Sequence, residues 1–126
     1  MAVYSKQFLS GGANGIPIAV TGVLPSTANT VHTALSDSTA GKVDEIWAWA
    51  YVRYGVTADR ELAVIWSGAT PTAAGANIRR FSYVVPGNGG LVPIIPGLPL
   101  NNGLTVKAYA TAADVIGIVG FVNRVT

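Results

Sequence analysis

The chain has 126 residues, 11% of them charged and 50% hydrophobic, with a formal net charge of +2 and no cysteine. That length suits one domain, spanning 1–126, that buries roughly two-thirds of its unfolded surface, and the lack of cysteine excludes disulfides, thiolate metal sites and thiol catalysis. An ordinary soluble domain carries about 25% charged residues, so this surface is poor in the groups that keep a monomer solitary, and burial in an oligomer is the simplest remedy.

The opening MAVYSKQFLSGG lacks the charged region and long apolar run of a signal peptide. No stretch approaches the roughly 18 uninterrupted apolar residues of a membrane span. The expectation is a protein made in a cytoplasm and not inserted in a membrane. Glycine and proline then punctuate the chain about every ten residues, which leaves no room for helices of normal length. Between the breakers lie segments rich in Val, Ile, Thr and aromatics: residues 3–9, 16–23, 30–35, 43–54, 61–67, 78–85, 91–95, 104–110 and 115–125. Eight or nine short strands at such spacing predict an all-β antiparallel sandwich, jelly-roll-like, or a small barrel. The pairs Asn14-Gly15, Asn88-Gly89 and Asn102-Gly103 tolerate positive φ and suit tight turns, whereas residues 10–15 and 70–77 read as surface loops.

The one histidine, His32, lies in TVHTAL with Asp37 as the nearest acid in sequence. A catalytic base needs an orienting carboxylate or a nucleophile beside it, and no GxSxG motif is present. His32 is therefore expected on a strand with solvent on one side. With Asp37, Asp44, Glu45, Asp59, Glu61 and Asp114 as the acids, a transition-metal cage lacks ligands at plausible spacing. Calcium held by Asp37 or Asp59 would lack the DxDxDG pattern. No catalytic residue, metal or cofactor is expected.

The segment Val43 to Tyr54 alternates strictly. Odd positions hold Glu45, Trp47, Trp49 and Tyr51; even positions hold Asp44, Ile46, Ala48, Ala50 and Val52. Either face could pack, because bulky side chains on one sheet fit small ones on the other. The reading adopted puts Ile46, Ala48, Ala50 and Val52 inside, with the tryptophans in the core as the alternative. Trp47, Trp49, Tyr51, Trp66, Arg79 and Arg80 are the best material for a binding surface, since Trp, Tyr and Arg are enriched at interfaces. Base or sugar stacking is the competing use. The basic residues are scattered among acids, without the stripe that phosphate binding demands, so no nucleic-acid partner is expected. Residues 87–90 are glycine-rich, but an extended segment follows them rather than a helix, which favours a turn over a phosphate loop.

The C-terminus is the most distinctive part. Residues 104–110 alternate cleanly, but from Val115 to Val125 one face carries Val115, Val119, Phe121 and Val125 while the other carries Ile116, Ile118 and Val122. Water is the natural neighbour of neither side. One face is assigned to the domain's core and the other to a neighbouring chain or second layer, with Ile116, Ile118 and Val122 counted among the partner contacts.

The run Ile95-Pro96-Gly97-Leu98-Pro99-Leu100-Asn101-Asn102-Gly103-Leu104-Thr105-Val106-Lys107-Ala108-Tyr109-Ala110, followed by Asp114-Val115-Ile116 and Gly120-Phe121-Val122-Asn123-Arg124-Val125, resembles the end of small virion structural proteins of tailed bacteriophages, among them capsid cement or decoration proteins. The resemblance covers the last quarter to third of the chain, with weaker similarity through VDEIWAWAYV. It implies a jelly-roll sandwich that self-associates, with a trimer favoured, binds the major capsid protein and stabilises the shell from the virion surface. Tail, neck and fibre-base components are the alternative positions. The resemblance brings no catalytic residues.

Overall fold

Extended segments between glycine and proline breakers form nine strands in the computed structural model, which describes residues 2–66 and 79–126. The loop expected at 70–77 lies outside the described residues. The strands are β1 (Tyr4–Phe8), β2 (Ile18–Ala19), β3 (Asn29–Thr33), β4 (Val43–Val52), β5 (Arg60–Ile65), β6 (Arg80–Val85), β7 (Val92–Leu100), β8 (Thr105–Ala110) and β9 (Ile116–Val125). Short 3-10 segments include Ala13–Gly15 and Pro25–Thr27. Asn88 and Asn102 adopt positive φ in the connections that precede β7 and β8, and Asn14 does so in the first 3-10 turn.

The pairings nest like one long hairpin. β5 pairs with β6, β4 with β7, β3 with β8 and β1 with β9, all antiparallel. Wrapping that ribbon brings β9 onto β4 and β8 onto β5. Two sheets result, β1-β9-β4-β7 and β3-β8-β5-β6, with β2 continuing beside β9 where β1 leaves it. This is the strand order of a jelly roll, whose two sheets face each other across one core. β2 is far shorter than the expected 16–23, because β9 offers it only the stretch that β1 has not taken.

The inward faces supply the core. Ile46, Ala48, Ala50 and Val52 of β4 meet Ile116, Ile118 and Val122 of β9 on one side of the sandwich, and Leu62, Val64, Val106 and Ala108 from the opposite sheet complete it. The strict alternation of β4 decides this, since its even positions are buried and its odd ones half-buried. The alternative with Trp47 and Trp49 inside is excluded.

Two close approaches shape the larger sheet. A Cβ on Gly120 would lie 2.1 Å from the Trp47 carbonyl oxygen and 2.9 Å from the Ala48 Cα, so only hydrogen lets β9 cross β4 this tightly. Gly120→Ala is expected to lose about 3 kcal/mol, the upper end of overpacking costs, measurable as a lower urea midpoint. β7 passes through Pro93, Pro96 and Pro99 to Leu100, well beyond the expected end at Ile95. The residues facing Ala50, Ala48, Ile46 and Asp44 of β4 are Val92, Ile95, Leu98 and Leu100, and the prolines fall between them with two register shifts. Proline breaks a strand only where its amide is needed, and at a sheet edge it is not.

Candidate functional site

The most chemically loaded cluster is internal. Asp44 and His32 are both buried, because Asp44 takes an even, inward position on β4 and His32 an inward position on β3. His32 Nε2 lies 2.8 Å from Asp44 Oδ2. Arg124 of β9 clamps the same carboxylate, with Nε 2.7 Å from Oδ1 and Nη2 2.9 Å from Oδ2, and the Leu35 amide donates to Oδ2 at 3.1 Å. The Ser10 amide donates to His32 Nδ1 at 3.0 Å, which places the ring proton on Nε2 and lets it donate to Asp44. Burial alone would raise the Asp44 carboxyl, but hydrogen bonds from Arg124 and His32 and the guanidinium charge outweigh it and hold the group below its ordinary value.

This corrects the expectation of a solvent-facing histidine. The physical reason is pairing across the sandwich, where an inward histidine on one sheet meets an inward aspartate on the other. Ser10 does not complete a triad, since its Oγ accepts from the Thr33 amide at 2.7 Å and only its backbone reaches the imidazole. The cluster ties β3 to β4 and β9, with the Arg124 side chain partly exposed at its rim. Among the described residues no group of three His, Cys, Asp or Glu could hold a metal ion.

The outward face of β1-β9-β4-β7 carries the expected aromatics. Register places Tyr4, Val125 and Val43 in one row, Lys6, Asn123 and Glu45 in the next, then Phe8, Phe121 and Trp47, and then Val119 and Trp49. Trp47 and Trp49 lie near-parallel to Phe121, with ring centroids 6.4 and 6.1 Å apart. Lys6 Nζ stands 4.8 Å above the Phe121 ring, within cation–π range. Trp47 Nε1 donates to Glu45 at 2.7 Å. A Cβ on Gly97 would meet the Trp47 ring at 2.5 Å and one on Gly117 the Tyr51 ring at 2.4 Å, so both rings lie down on glycine backbone.

β9 thus has two apolar faces with different neighbours. Ile116, Ile118 and Val122 belong to this domain's own core, which removes them from the partner contacts. Phe121 is covered in part by the chain's own Trp47, Trp49 and Lys6, a contact between side chains on neighbouring strands that no single-strand pattern reveals. Val119, Phe121 and Val125 remain half-buried, and Tyr4 and Phe8 on the flanking strand are 74% and 61% exposed. Tyr4, Lys6 and Phe8 join this face beyond the residues expected from the sequence, and their alternation along β1 is the signal that marks it.

Arg80 opens β6 on the other sheet and Arg79 directly precedes it, so the structure does not unite them with Trp47, Trp49 and Tyr51. Arg79 is exposed. Arg80 Nη1 donates to the Tyr109 hydroxyl at 2.8 Å across β5, beside an open depression of about 300 Å³ lined by Glu61, Ala63 and Ser82. Trp66 packs against the core. Comparison with protein-family models, curated proteins and solved structures finds no match to this chain.

Proposed function

We propose that this chain is a structural virion protein of the capsid cement or decoration type, which self-associates, with a trimer favoured, and binds the major capsid protein shell. The observation that carries the reading is the outer face of β1-β9-β4-β7, an aromatic and aliphatic surface on a domain whose inward faces already fill its core. Large exposed apolar side chains on that face include Tyr4 and Phe8, and contiguous patches of this kind mark association sites. A clamp of this type needs broad contact area and no titrating chemistry. The resemblance of the C-terminal block supports the same reading.

Reconstruction of intact particles tests it. The expected result is density for this fold in hundreds of copies across the shell, and density confined to one vertex would move the protein to the tail, neck or fibre base. Sedimentation at micromolar concentration is expected to show an assembly of 13.0 kDa subunits, while a stable monomer would contradict self-association.

The rings of Trp47 and Tyr51, laid flat on Gly97 and Gly117 and half-buried, favour a second reading, a carbohydrate-stacking module, because flat aromatic faces suit the apolar faces of sugars. Saturable quenching of tryptophan fluorescence by soluble oligosaccharides would support it.

A further inference from the structure

The two edges of the larger sheet are not equivalent. Val3 and Thr126 exchange reciprocal backbone bonds of 2.8 and 2.9 Å, and bonded pairs alternate along an antiparallel ladder. With the register of β1 on β9, Ser5 and Gln7 therefore bond inward, while the amides and carbonyls of Tyr4, Lys6 and Phe8 point to the free edge. The same alternation runs across the sheet. The Val20 amide bonds to the Ile116 carbonyl on one side of β9, and the Arg53 amide bonds to the Val115 carbonyl on the other. Even positions of β4 then bond to β7, and the positions of β7 left facing outward include Pro93, Pro96 and Pro99.

One edge is closed by prolines that have no amide to offer, a standard protection against strand addition. The other keeps three free donor–acceptor pairs on an exposed, proline-free strand. Beside it, Lys6, Phe8, Gly15, Gly120 and Phe121 line an apolar hollow of about 350 Å³ with Lys6 as its one charge.

We propose that the free edge of β1 accepts one extended segment of another chain as an added antiparallel strand, with an acidic side chain opposite Lys6 and apolar side chains two residues to either side, opposite Tyr4 and Phe8. Main-chain bonds supply affinity in such strand addition and alternate side chains supply specificity. Charge selects the occupant. A second copy centred on Lys6 would oppose two ammonium groups, which is unfavourable for directly facing residues. Shifting the two-fold axis to Gln7 avoids this but sets Tyr4 opposite Ser10, whose amide is already bonded to His32, and shifting it to Ser5 sets Lys6 opposite Tyr4 and Phe8 opposite Ala2, with no acid for the ammonium. A segment with an acid between apolar residues fills all three. The inference deepens the shell-binding reading by naming the chemistry of the contact, and it relies on that reading only for which chain supplies the segment.

The probe is an acetylated, amidated peptide, Thr-Val-Thr-Glu-Thr-Val-Thr, added to the full chain at millimolar concentration while backbone amide exchange is followed by NMR. The amides of Tyr4, Lys6 and Phe8 are expected to become protected, and a peptide with lysine in place of glutamate to bind about tenfold more weakly, because it sets two ammonium groups directly opposite each other. Lys6→Pro removes an amide that serves no bond within the domain together with the ammonium over Phe121, and is expected to abolish protection at Tyr4 and Phe8 while leaving the unfolding midpoint within a few degrees of the parent. Should that variant fold poorly, a peptide N-methylated at its glutamate deletes the same rung from the other side. Unchanged exchange at all three amides, or undiminished binding by the N-methylated peptide, would overturn the proposal. Protection of the three amides without peptide, together with a doubled mass, would overturn it in favour of a second copy. Because the assay needs no particle, its failure is separate from failure of the virion assignment.

Discussion

Asp44→Ala is expected to destabilise the fold by about 3–5 kcal/mol, the cost of breaking a buried ion pair, and to lower the thermal midpoint by roughly 10–20 °C. The substitution leaves the His32 Nε2 proton, the Leu35 amide and one side of the Arg124 guanidinium without their acceptor. Arg124 can turn to water, but His32 cannot, being buried. Against a total stability of about 5–15 kcal/mol, this is a large fraction, visible by circular dichroism in a urea titration. Asp44→Asn is expected to cost less, because the amide oxygen still accepts from His32 or Arg124.

The same residue sets an acid limit. The folded state holds Asp44 below its ordinary value of 3.8, so the carboxylate's contribution is fully present above about that pH. It is lost as pH falls through the lower folded value, where the unfolded chain binds the proton more readily. Parent stability is expected to decline below about pH 3.8, and the part of the decline owed to this group should vanish in Asp44→Asn. An unaltered acid slope in that variant would show that other carboxylates govern it.

Ile118→Asp and Phe121→Asp form the second decisive pair, since they place the same charge on opposite faces of one strand. Ile118 is fully buried in the core, and an unpaired charge there is expected to cost about 5 kcal/mol or more, enough to unfold a marginal domain. Phe121 lies on the outer face against Trp47 and Trp49. Its loss removes two ring contacts of about 0.5–1.5 kcal/mol each and leaves the charge in water. The chain should stay folded, with self-association and shell binding lost. A folded Ile118→Asp would contradict the core assignment, and a Phe121→Asp that assembles normally would remove the outer face from the association surface.

Much of the architecture was legible because it rests on local rules. Strict alternation in Val43–Val52 and breakers at regular spacing give strands directly, and the observed boundaries of β4, β5, β8 and β9 fall within a few residues of expectation. The sequence pattern ends β7 at Ile95, although the strand runs to Leu100, because proline is locally a breaker. Whether its missing amide matters depends on which side of the strand faces a neighbour, and only pairing with β4 supplies that. His32 and Asp44 are 12 residues apart and Asp44 and Arg124 are 80 apart, so no window of sequence could show them as one group.

By itself, the sequence determined the all-β class, the strand pattern, and the two apolar faces of β9, because alternation and turn chemistry act between neighbouring residues. Only the tertiary structure decided that Ile116, Ile118 and Val122 face inward, that Phe121 is sheltered by tryptophans from the next strand, and that His32 and Asp44 are buried together. It also decided which edge of the sheet is open. Burial and hydrogen-bond direction belong to pairs of strands distant in sequence, and the register that joins them exists only after the ribbon has wrapped into two sheets.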